Sequence, residues 1–177
     1  CMEVLWRADW IAGLSGKIST GVRQMIRPFN EADLDSLRAV IWRTIDVSYS
    51  GPYPPRAVQF FKEHHSEKKI AGRRRSGEIL VLERGGSILA TGALVRNEIV
   101  GVFVDPDHQG QGHGKAIMTE LERRARAEGI SEVHLSVSLP SRAFYERLGY
   151  EILEPRSLDV GEGQFLHYWS GRKVLTS

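Results

Sequence analysis

A run of closely spaced glycines follows an apolar segment in the middle of the chain. Gly110, Gly112 and Gly114 come soon after the apolar segment 99–104 and open an amphipathic segment with helical periodicity. Glycine leaves backbone N–H groups uncovered by side chains, and a helix N-terminus carries partial positive charge. Both features suit a phosphate or pyrophosphate group, so this segment predicts a phosphate-binding turn between a strand and a helix.

Two common phosphate-binding loops do not fit this spacing. A P-loop requires G-x-x-x-x-G-K-[ST], but position 109 is Gln and position 116 is Ala, so the first glycine and the magnesium-binding hydroxyl are missing. The dinucleotide fingerprint G-x-G-x-x-G requires a third glycine where Lys115 stands. The pattern that remains is Gln109-x-x-Gly112-x-Gly114.

This pattern resembles the Q/R-x-x-G-x-G/A signature of the GCN5-related N-acetyltransferase (GNAT) superfamily, whose loop holds the pyrophosphate of acetyl-coenzyme A. Two further segments resemble the same family. Residues 25–33 are similar to its opening strand and helix start, and residues 138–150 end in its second hallmark, F-Y-E-x-L-G-[FY]. The three segments stand in the family's order, and the resemblance covers roughly residues 23–175.

The resemblance implies an N-acetyltransferase that moves an acetyl group from acetyl-coenzyme A to a primary amine by direct attack, through a tetrahedral intermediate. The acceptor would be a small-molecule or peptide amine, and no metal would take part. A non-catalytic sensor or regulatory module that binds acyl-coenzyme A is the alternative. Such a module would keep the glycine loop and lose the catalytic acid and base.

Acetyl transfer to an amine requires a base, a site for the oxyanion and a proton for the departing thiolate. For the proton, Tyr145 matches the tyrosine that the family places near the thioester sulfur, and a phenol with a pKa near ~10 stays protonated at neutral pH. For the base, Glu98 lies eleven residues before Gln109, the spacing of the catalytic glutamate in the histone acetyltransferase branch. The alternatives are that Tyr145 is only an aromatic residue of the core and that Glu98 is only a solvated residue at the end of a strand.

The cofactor-binding assignments also follow from the resemblance. The family uses backbone amides of a bulge in its fourth strand for the oxyanion and the pantetheine arm, which by position means Phe103 and Val104. Lys115 and Arg142 are the candidate phosphate-binding cations, and Ser138 stands where many relatives carry an asparagine that binds pantetheine. The predicted cofactor-binding set is Phe103, Val104, Gln109, Gly110, Gln111, Gly112, His113, Gly114, Lys115, Ser138 and Arg142.

The resemblance places the acceptor opposite the cofactor, between the segment that joins the first two helices and the loop that joins the last two strands. In this chain these are residues 46–55 and 156–163, which are acidic and aromatic and therefore favour a cationic amine. Asp46, Tyr49 and Tyr53 are the predicted acceptor contacts. The alternative interpretation is that the acidic and aromatic residues of these two segments are only what loops commonly contain.

Composition limits the remaining function classes. The only cysteine, Cys1, excludes an internal disulfide framework, and no signal peptide is recognisable, so we expect a cytoplasmic location. The net charge of +2 is too small to imply a nucleic-acid partner, and the arginines at 73–75 are interpreted as a solvated turn. The histidines lack metal-ligand spacing, and His64 and His65 are interpreted as a polar helix end. No membrane partner is expected, and a homodimer is left open.

The elements that must position these residues follow from hydrophobic periodicity. Residues 1–22 are expected to form an N-terminal extension, either an artificial addition or a flexible arm, and residues 23–177 a single domain. The predicted order is β-α-α-β-β-β-α-β-α-β-β. The fold class is α/β (α+β), and the resemblance implies the GNAT acyl-CoA N-acyltransferase fold. This fold has a mixed, mostly antiparallel sheet of six to seven strands, splayed between strands 4 and 5 and flanked by about four helices.

Overall fold

Seven strands form one continuous sheet in the computed structural model, which describes residues 23–175. The strands are β1 (Gln24–Pro28), β2 (Glu78–Arg84), β3 (Ser87–Val95), β4 (Glu98–Val104), β5 (Glu132–Ser138), β6 (Glu151–Gly161) and β7 (Gln164–Val174). The helices of this part of the chain are α1 (Leu34–Tyr49), α2 (Pro55–His64), α3 (Glu67–Ser76), α4 (His113–Ala127) and α5 (Arg142–Arg147). None of these helices has the length and apolar character needed to cross a bilayer.

The strand order is β1-β2-β3-β4-β5-β7-β6, and neighbouring strands are antiparallel except β4 and β5. The parallel pairing of β4 with β5 is confined to Glu98 and His134, which lie at or near the start of their strands. Beyond this pair the two strands separate toward their carboxyl ends. The predicted mixed sheet with a splay between strands 4 and 5 is confirmed.

The core lies on both faces of this sheet. On β2, Leu80 and Leu82 pack in one apolar cluster with Leu121 of α4, whereas Ile79 and Val81 pack in a second cluster with residues of α1 and α3. Alternate side chains of a strand point to opposite faces, so β2 is covered by helices on both sides. Helices thus pack against both faces of the central strands, and the splay between β4 and β5 lies at the edge of this covered part of the sheet.

Two elements differ from the sequence prediction. Residues 73–75, predicted as a solvated turn, lie in α3, a helix that the prediction lacked. Only Ile70 of α3 is buried, so the helix carries no apolar stripe that periodicity could detect. The segment 156–163, predicted as a loop, lies mostly in β6, which continues to Gly161. Pro155 argued against a strand here, because proline is rare inside central strands. However, β6 is an edge strand with register shifts, and such a strand tolerates proline.

Candidate active site

The glycine loop links the end of β4 to the N-terminus of α4. Gly110 and Gly112 have left-handed φ angles of 75° and 85°, and Gly112 is the N-cap of the 15-residue helix α4. A side-chain carbon at either glycine would meet no protein atom within 4 Å. Both glycines line a cavity of about 540 Å³, which we call the glycine-loop cavity. The loop therefore presents uncovered backbone to this cavity at a helix N-terminus, which is the arrangement that binds phosphate.

Side chains of α1 form hydrogen bonds with the residues that join β4 to this loop and so stabilise its position. Arg43 donates to both carboxylate oxygens of Asp105, at 2.9 and 2.8 Å, and to Asp107 at 2.7 Å. Thr44 donates its hydroxyl to the carbonyl of Val104 at 3.0 Å, and Gln109 donates its amide to the same carbonyl at 3.1 Å. Gln109 thus bonds the strand end through its side chain. Arg43 and Thr44 carried no local signal in the sequence, because their partners lie about 60 residues away.

Strand β4 is irregular just before the loop. Thr91 pairs with Phe103 and Ala93 with Val100, so β4 has one more residue than β3 between these pairs, where Gly101 adopts a φ of 64°. This is a bulge of the predicted kind. It precedes Phe103, whereas the sequence prediction centred it on Phe103 and Val104.

The direction of the β4 amides follows from one hydrogen bond. The N–H of Asp105 donates to the carbonyl of Leu89 on β3 at 2.8 Å. Successive N–H groups of a strand point to opposite edges, so the N–H of Val104 points away from β3 and that of Phe103 points toward it. The same alternation directs the N–H of Val102 toward the splay. Val102 and Val104, rather than Phe103, therefore present amides to the space between β4 and β5.

A second cavity, of about 380 Å³, is lined in part by residues of β4 and β5, and we call it the His65 cavity. The two cavities share five lining residues, which are Tyr49, Val102, Phe103, Ser141 and Tyr145. A molecule in the glycine-loop cavity and a molecule in the His65 cavity would therefore meet at this shared wall.

Tyr145 of α5 belongs to the shared wall and is 6% exposed. Its ring packs against Phe144 and Tyr150, with centroids 5.0 and 5.7 Å away. Its hydroxyl makes no hydrogen bond with any residue of the described range. Burial raises the pKa of this phenol above its usual value, so it stays protonated at neutral pH. The structure thus leaves a proton donor unpartnered where the two cavities meet.

Tyr49 and Ser138 are joined at the same wall. The Ser138 hydroxyl donates to the Tyr49 hydroxyl at 3.1 Å and lies 2.5 Å from the hydroxyl of Ser141. Burial raises the pKa of Tyr49. Ser138 lines the His65 cavity and Tyr49 lines both cavities, so these two predicted site residues come together.

Two other predicted acceptor contacts lie elsewhere. Asp46 forms an ion pair with Lys62 at 2.6 Å and lines neither of the two cavities. Tyr53 is 4% exposed, and its hydroxyl donates to the carbonyl of His167 and accepts from the N–H of Leu139, both at 2.8 Å. Asp46 and Tyr53 thus lie outside the linings of both cavities, unlike Tyr49.

The basic residues at the glycine-loop cavity differ in part from those predicted. Lys115 lines the cavity, as does Arg147, which the sequence analysis did not single out. Neither makes an ion pair with another described residue. Arg142 instead donates to Glu146 at 2.9 Å, stacks over Trp169 and is absent from the cavity lining. Lys115 and Arg147 are therefore the lysine and the arginine that line this cavity.

His113 follows Gly112 and differs from the other loop residues because its side chain is buried. It is 4% exposed, and its Nε2 atom has no hydrogen-bond partner. Burial lowers the pKa of His113, so the imidazole is neutral at pH 7. Among the described residues, no group of three or more His, Cys, Asp or Glu side chains is arranged to hold a metal ion.

The His65 cavity is formed where the end of α2 and α3 meet the beginning of β4. His65 is 5% exposed, and its ring packs edge-on against Phe103 at 4.8 Å. Arg73 donates to Nδ1 of His65 at 2.8 Å and to the carbonyl of His64 at 2.9 Å. Glu98 lines this cavity too, although its own side chain is exposed. The predicted polar helix end and solvated turn thus both contribute to a cavity wall.

We expect the free energy of unfolding to fall as the pH drops below 6.5, because burial lowers the pKa of His65 well below that value. The unfolded chain then binds a proton that the folded protein does not, and each such proton contributes a slope of up to about 1.4 kcal/mol per pH unit. His64 and His113 act in the same direction. Urea unfolding of the wild type and of His65→Gln between pH 8 and 5 isolates the contribution of His65 to this pH dependence. The difference in the free energy of unfolding between the two proteins should change in disfavour of the wild type as the pH falls. A difference that is constant with pH would contradict this prediction.

Comparison with known proteins gives a consistent result. Residues 38–150 match the family model described as Acetyltransferase (GNAT) family. An amino-acid acetyltransferase of Pseudomonas fluorescens (strain Pf0-1) is 28% identical over 116 residues, which cover 58% of this chain and 27% of that protein. A glucosamine 6-phosphate N-acetyltransferase of Trypanosoma brucei brucei is 42% identical over 53 residues, which cover 30% of this chain and 36% of that protein. The matches thus span roughly a quarter to a third of these relatives.

Solved structures with the same fold cover nearly all of the described residues. A GCN5-related N-acetyltransferase from Rhodopseudomonas palustris aligns with a TM-score of 0.79 at 20% identity, covering 88% of this chain and 98% of that one. The PaiA N-acetyltransferase from Thermoplasma acidophilum, solved in complex with coenzyme A, aligns with a TM-score of 0.71 at 19% identity, covering 86% and 99% of the two chains. At these identities the likeness establishes the fold.

Proposed function

Because the chain belongs to the acetyltransferase (GNAT) family, we propose that it transfers the acetyl group of acetyl-coenzyme A to a primary amine. The observation that carries this proposal is the shared wall of the two cavities, which is lined both by Tyr145, whose hydroxyl has no partner among the described residues, and by Val102 of β4. Acetyl-coenzyme A would occupy the glycine-loop cavity, and the acceptor amine would occupy the His65 cavity. The cytoplasmic location and the oligomeric state stay predictions from the sequence.

The exposed backbone amides and the cations that line the glycine-loop cavity support acetyl-coenzyme A as its ligand. The pyrophosphate would accept hydrogen bonds from the amides of residues 110–115, where two glycines adopt left-handed angles and expose the backbone. Lys115 and Arg147 would supply positive charge to the phosphates. The amides of β4 that point into the splay would pair with the pantetheine arm as an added strand would.

The residues of the shared wall can supply the chemistry of the transfer. The neutral amine attacks the thioester carbonyl, and the N–H of Val102 or Val104 would stabilise the oxyanion that forms. The intermediate then collapses and the C–S bond breaks; Tyr145 would donate its proton to the departing thiolate, and the proton that the newly acylated nitrogen loses would restore the phenol of Tyr145. Glu98 would accept the proton that the acceptor ammonium must lose. An alkyl ammonium with a pKa near ~10.4 is neutral in only about one molecule in 2,500 at pH 7, so this proton acceptor matters.

The test is a thiol-release assay with acetyl-coenzyme A and a panel of amino acids, polyamines, aminoglycosides and peptide N-termini. We expect amine-dependent release of coenzyme A with at least one class of amine. Binding of acetyl-coenzyme A without release of thiol for any amine would instead favour the sensor or regulatory module.

Replacement of Glu98 by glutamine is expected to lower kcat/KM for the amine by about 10²-fold or more near pH 7, because the proton acceptor is lost. The loss should shrink as the pH approaches the pKa of the amine, where the amine deprotonates without help. Glu151, which is exposed at the start of β6 and pairs with Arg172, gives the matched control Glu151→Gln. A pH–rate profile of Glu98→Gln parallel to that of the wild type would point to a different base.

A further inference from the structure

Arg73 is a partly buried cation in the His65 cavity with no carboxylate partner at close range. Its guanidinium donates to the ring of His65 and to a backbone carbonyl, both of which are uncharged groups. It makes no ion pair within 4.0 Å with any residue of the described range. Burial lowers the pKa of Arg73, while Glu98 opposes this from a longer distance. A desolvated guanidinium in a cavity wall is a binding site for an anion.

The contact with Arg73 also determines which nitrogen of His65 carries the proton. A guanidinium has only donors, so Nδ1 of His65 must accept, and the proton of the neutral imidazole therefore resides on Nε2. Nε2 has no hydrogen-bond partner among residues 23–175. His65 therefore offers a donor to the cavity and has no lone pair available to act as the base. Arg73 and His65 form an all-donor surface, which suits an anionic oxygen.

We propose that the acceptor amine carries a carboxylate, which binds to the guanidinium of Arg73 and the Nε2–H of His65 while Glu98 faces the ammonium group. This inference rests on the proposed acetyltransferase function, and it replaces the cationic acceptor that the acidic segments of the sequence favoured.

The charges of the cavity match such a zwitterion. Among the described lining residues, the cavity presents one cation, Arg73, and one anion, Glu98, because desolvation and the nearby charge of Arg73 lower the pKa values of His64 and His65 and keep both imidazoles neutral at pH 7. An ammonium and a carboxylate on one molecule balance these two charges. A phosphate dianion would leave an excess of negative charge beside Glu98. The apolar wall formed by Phe60, Phe61 and Leu166 favours an apolar remainder of the molecule.

The first experiment compares amines that differ only in the carboxylate. We expect kcat/KM to be roughly tenfold to a hundredfold higher for L-phenylalanine and L-leucine than for phenylethylamine, isoamylamine and the two amino-acid amides. Arg73→Gln should remove this preference through a higher KM, and Arg73→Lys should restore part of it. Arg75, exposed two positions further along α3, provides the control Arg75→Gln, which should keep the preference.

The second experiment measures carboxylate binding without turnover. Isothermal titration compares 3-phenylpropionate with its neutral amide in the presence of coenzyme A, in the wild type and in folded Arg73→Gln or Arg73→Lys. We expect the acid to bind more tightly than the amide only where residue 73 is arginine or lysine. Equal binding of acid and amide by the wild type would overturn the inference, as would a carboxylate preference that survives in Arg73→Gln.

The two experiments separate the inference from the function on which it rests. Thiol release with amines that lack a carboxylate, at rates equal to those of the amino acids, would leave the acetyltransferase function intact and overturn the carboxylate site. A stronger preference for glucosamine 6-phosphate over glucosamine, lost in Arg73→Gln, would also overturn it in favour of a phosphate site. No thiol release with any amine, together with selective binding of 3-phenylpropionate at Arg73, would support the carboxylate site and contradict the acetyltransferase.

Discussion

Replacing Tyr145 with phenylalanine is expected to lower kcat by about 10²- to 10⁴-fold and to leave the Kd of acetyl-coenzyme A within about twofold of the wild type. The substitution removes the proton donor for the departing thiolate and keeps the ring that packs between Phe144 and Tyr150. The hydroxyl has no protein partner among the described residues, so its removal leaves no donor or acceptor of the protein unsatisfied. Folding should therefore be unaffected.

Tyr150 provides the matched control for this experiment. Its hydroxyl is also buried, but it donates to Glu122 at 3.1 Å. Tyr150→Phe should therefore lower the free energy of unfolding by about 1.5 to 3 kcal/mol, the usual contribution of a hydrogen bond to a charged group, and leave kcat nearly unchanged. Single-turnover measurements would establish that chemistry, and not product release, limits the rate of each variant. A wild-type rate of the chemical step in Tyr145→Phe would show that another group protonates the thiolate.

Replacing Gly112 with asparagine is expected to raise the Kd of acetyl-coenzyme A by about 100-fold or more. Asparagine tolerates the left-handed φ of 85° better than most residues, but its side chain would project into the space where we place the pyrophosphate. The loss of two hydrogen bonds from the backbone to a charged phosphate is enough for an effect of this size. Isothermal titration with acetyl-coenzyme A measures this Kd directly.

The same helix offers a control for the backbone strain. Gly129 follows the C-terminal end of α4, has a φ of 77°, and also has open space where a side-chain carbon would lie. Gly129→Asn therefore introduces the same residue in a similar conformation, far from the glycine loop. This variant should bind coenzyme A like the wild type. If both variants weaken binding equally, the effect comes from helix α4 as a whole, and the pyrophosphate site must lie elsewhere.

The sequence by itself determined the features that depend on local patterns. The residues that indicate such features lie close together in the sequence, so periodicity and turn residues predict them. These features are the glycine loop, the helix that follows it and the hairpin of β2 and β3. The wide apolar stripe of α4 made that helix easy to recognise. The motif at 144–150 placed Tyr145, and the structure then supplied the reason for its protonation, which is burial.

The tertiary structure alone decided which side chains meet. His65 follows the C-terminal end of one helix and Arg73 lies in the last turn of another, and their approach to Gly101 in the bulge of β4 needs the whole layer of α1, α2 and α3 against the sheet. In the sequence they are a polar helix end and a basic run, which are usually solvated. The direction of the Val102 and Phe103 amides was likewise set by register with β3, and register depends on long-range pairing. Asp46 forms an ion pair with Lys62, and no pattern in the sequence indicated that these two residues would be neighbours. Local spacing determines which elements form, whereas the acceptor site depends on contacts between elements, and those exist only once the layers have packed.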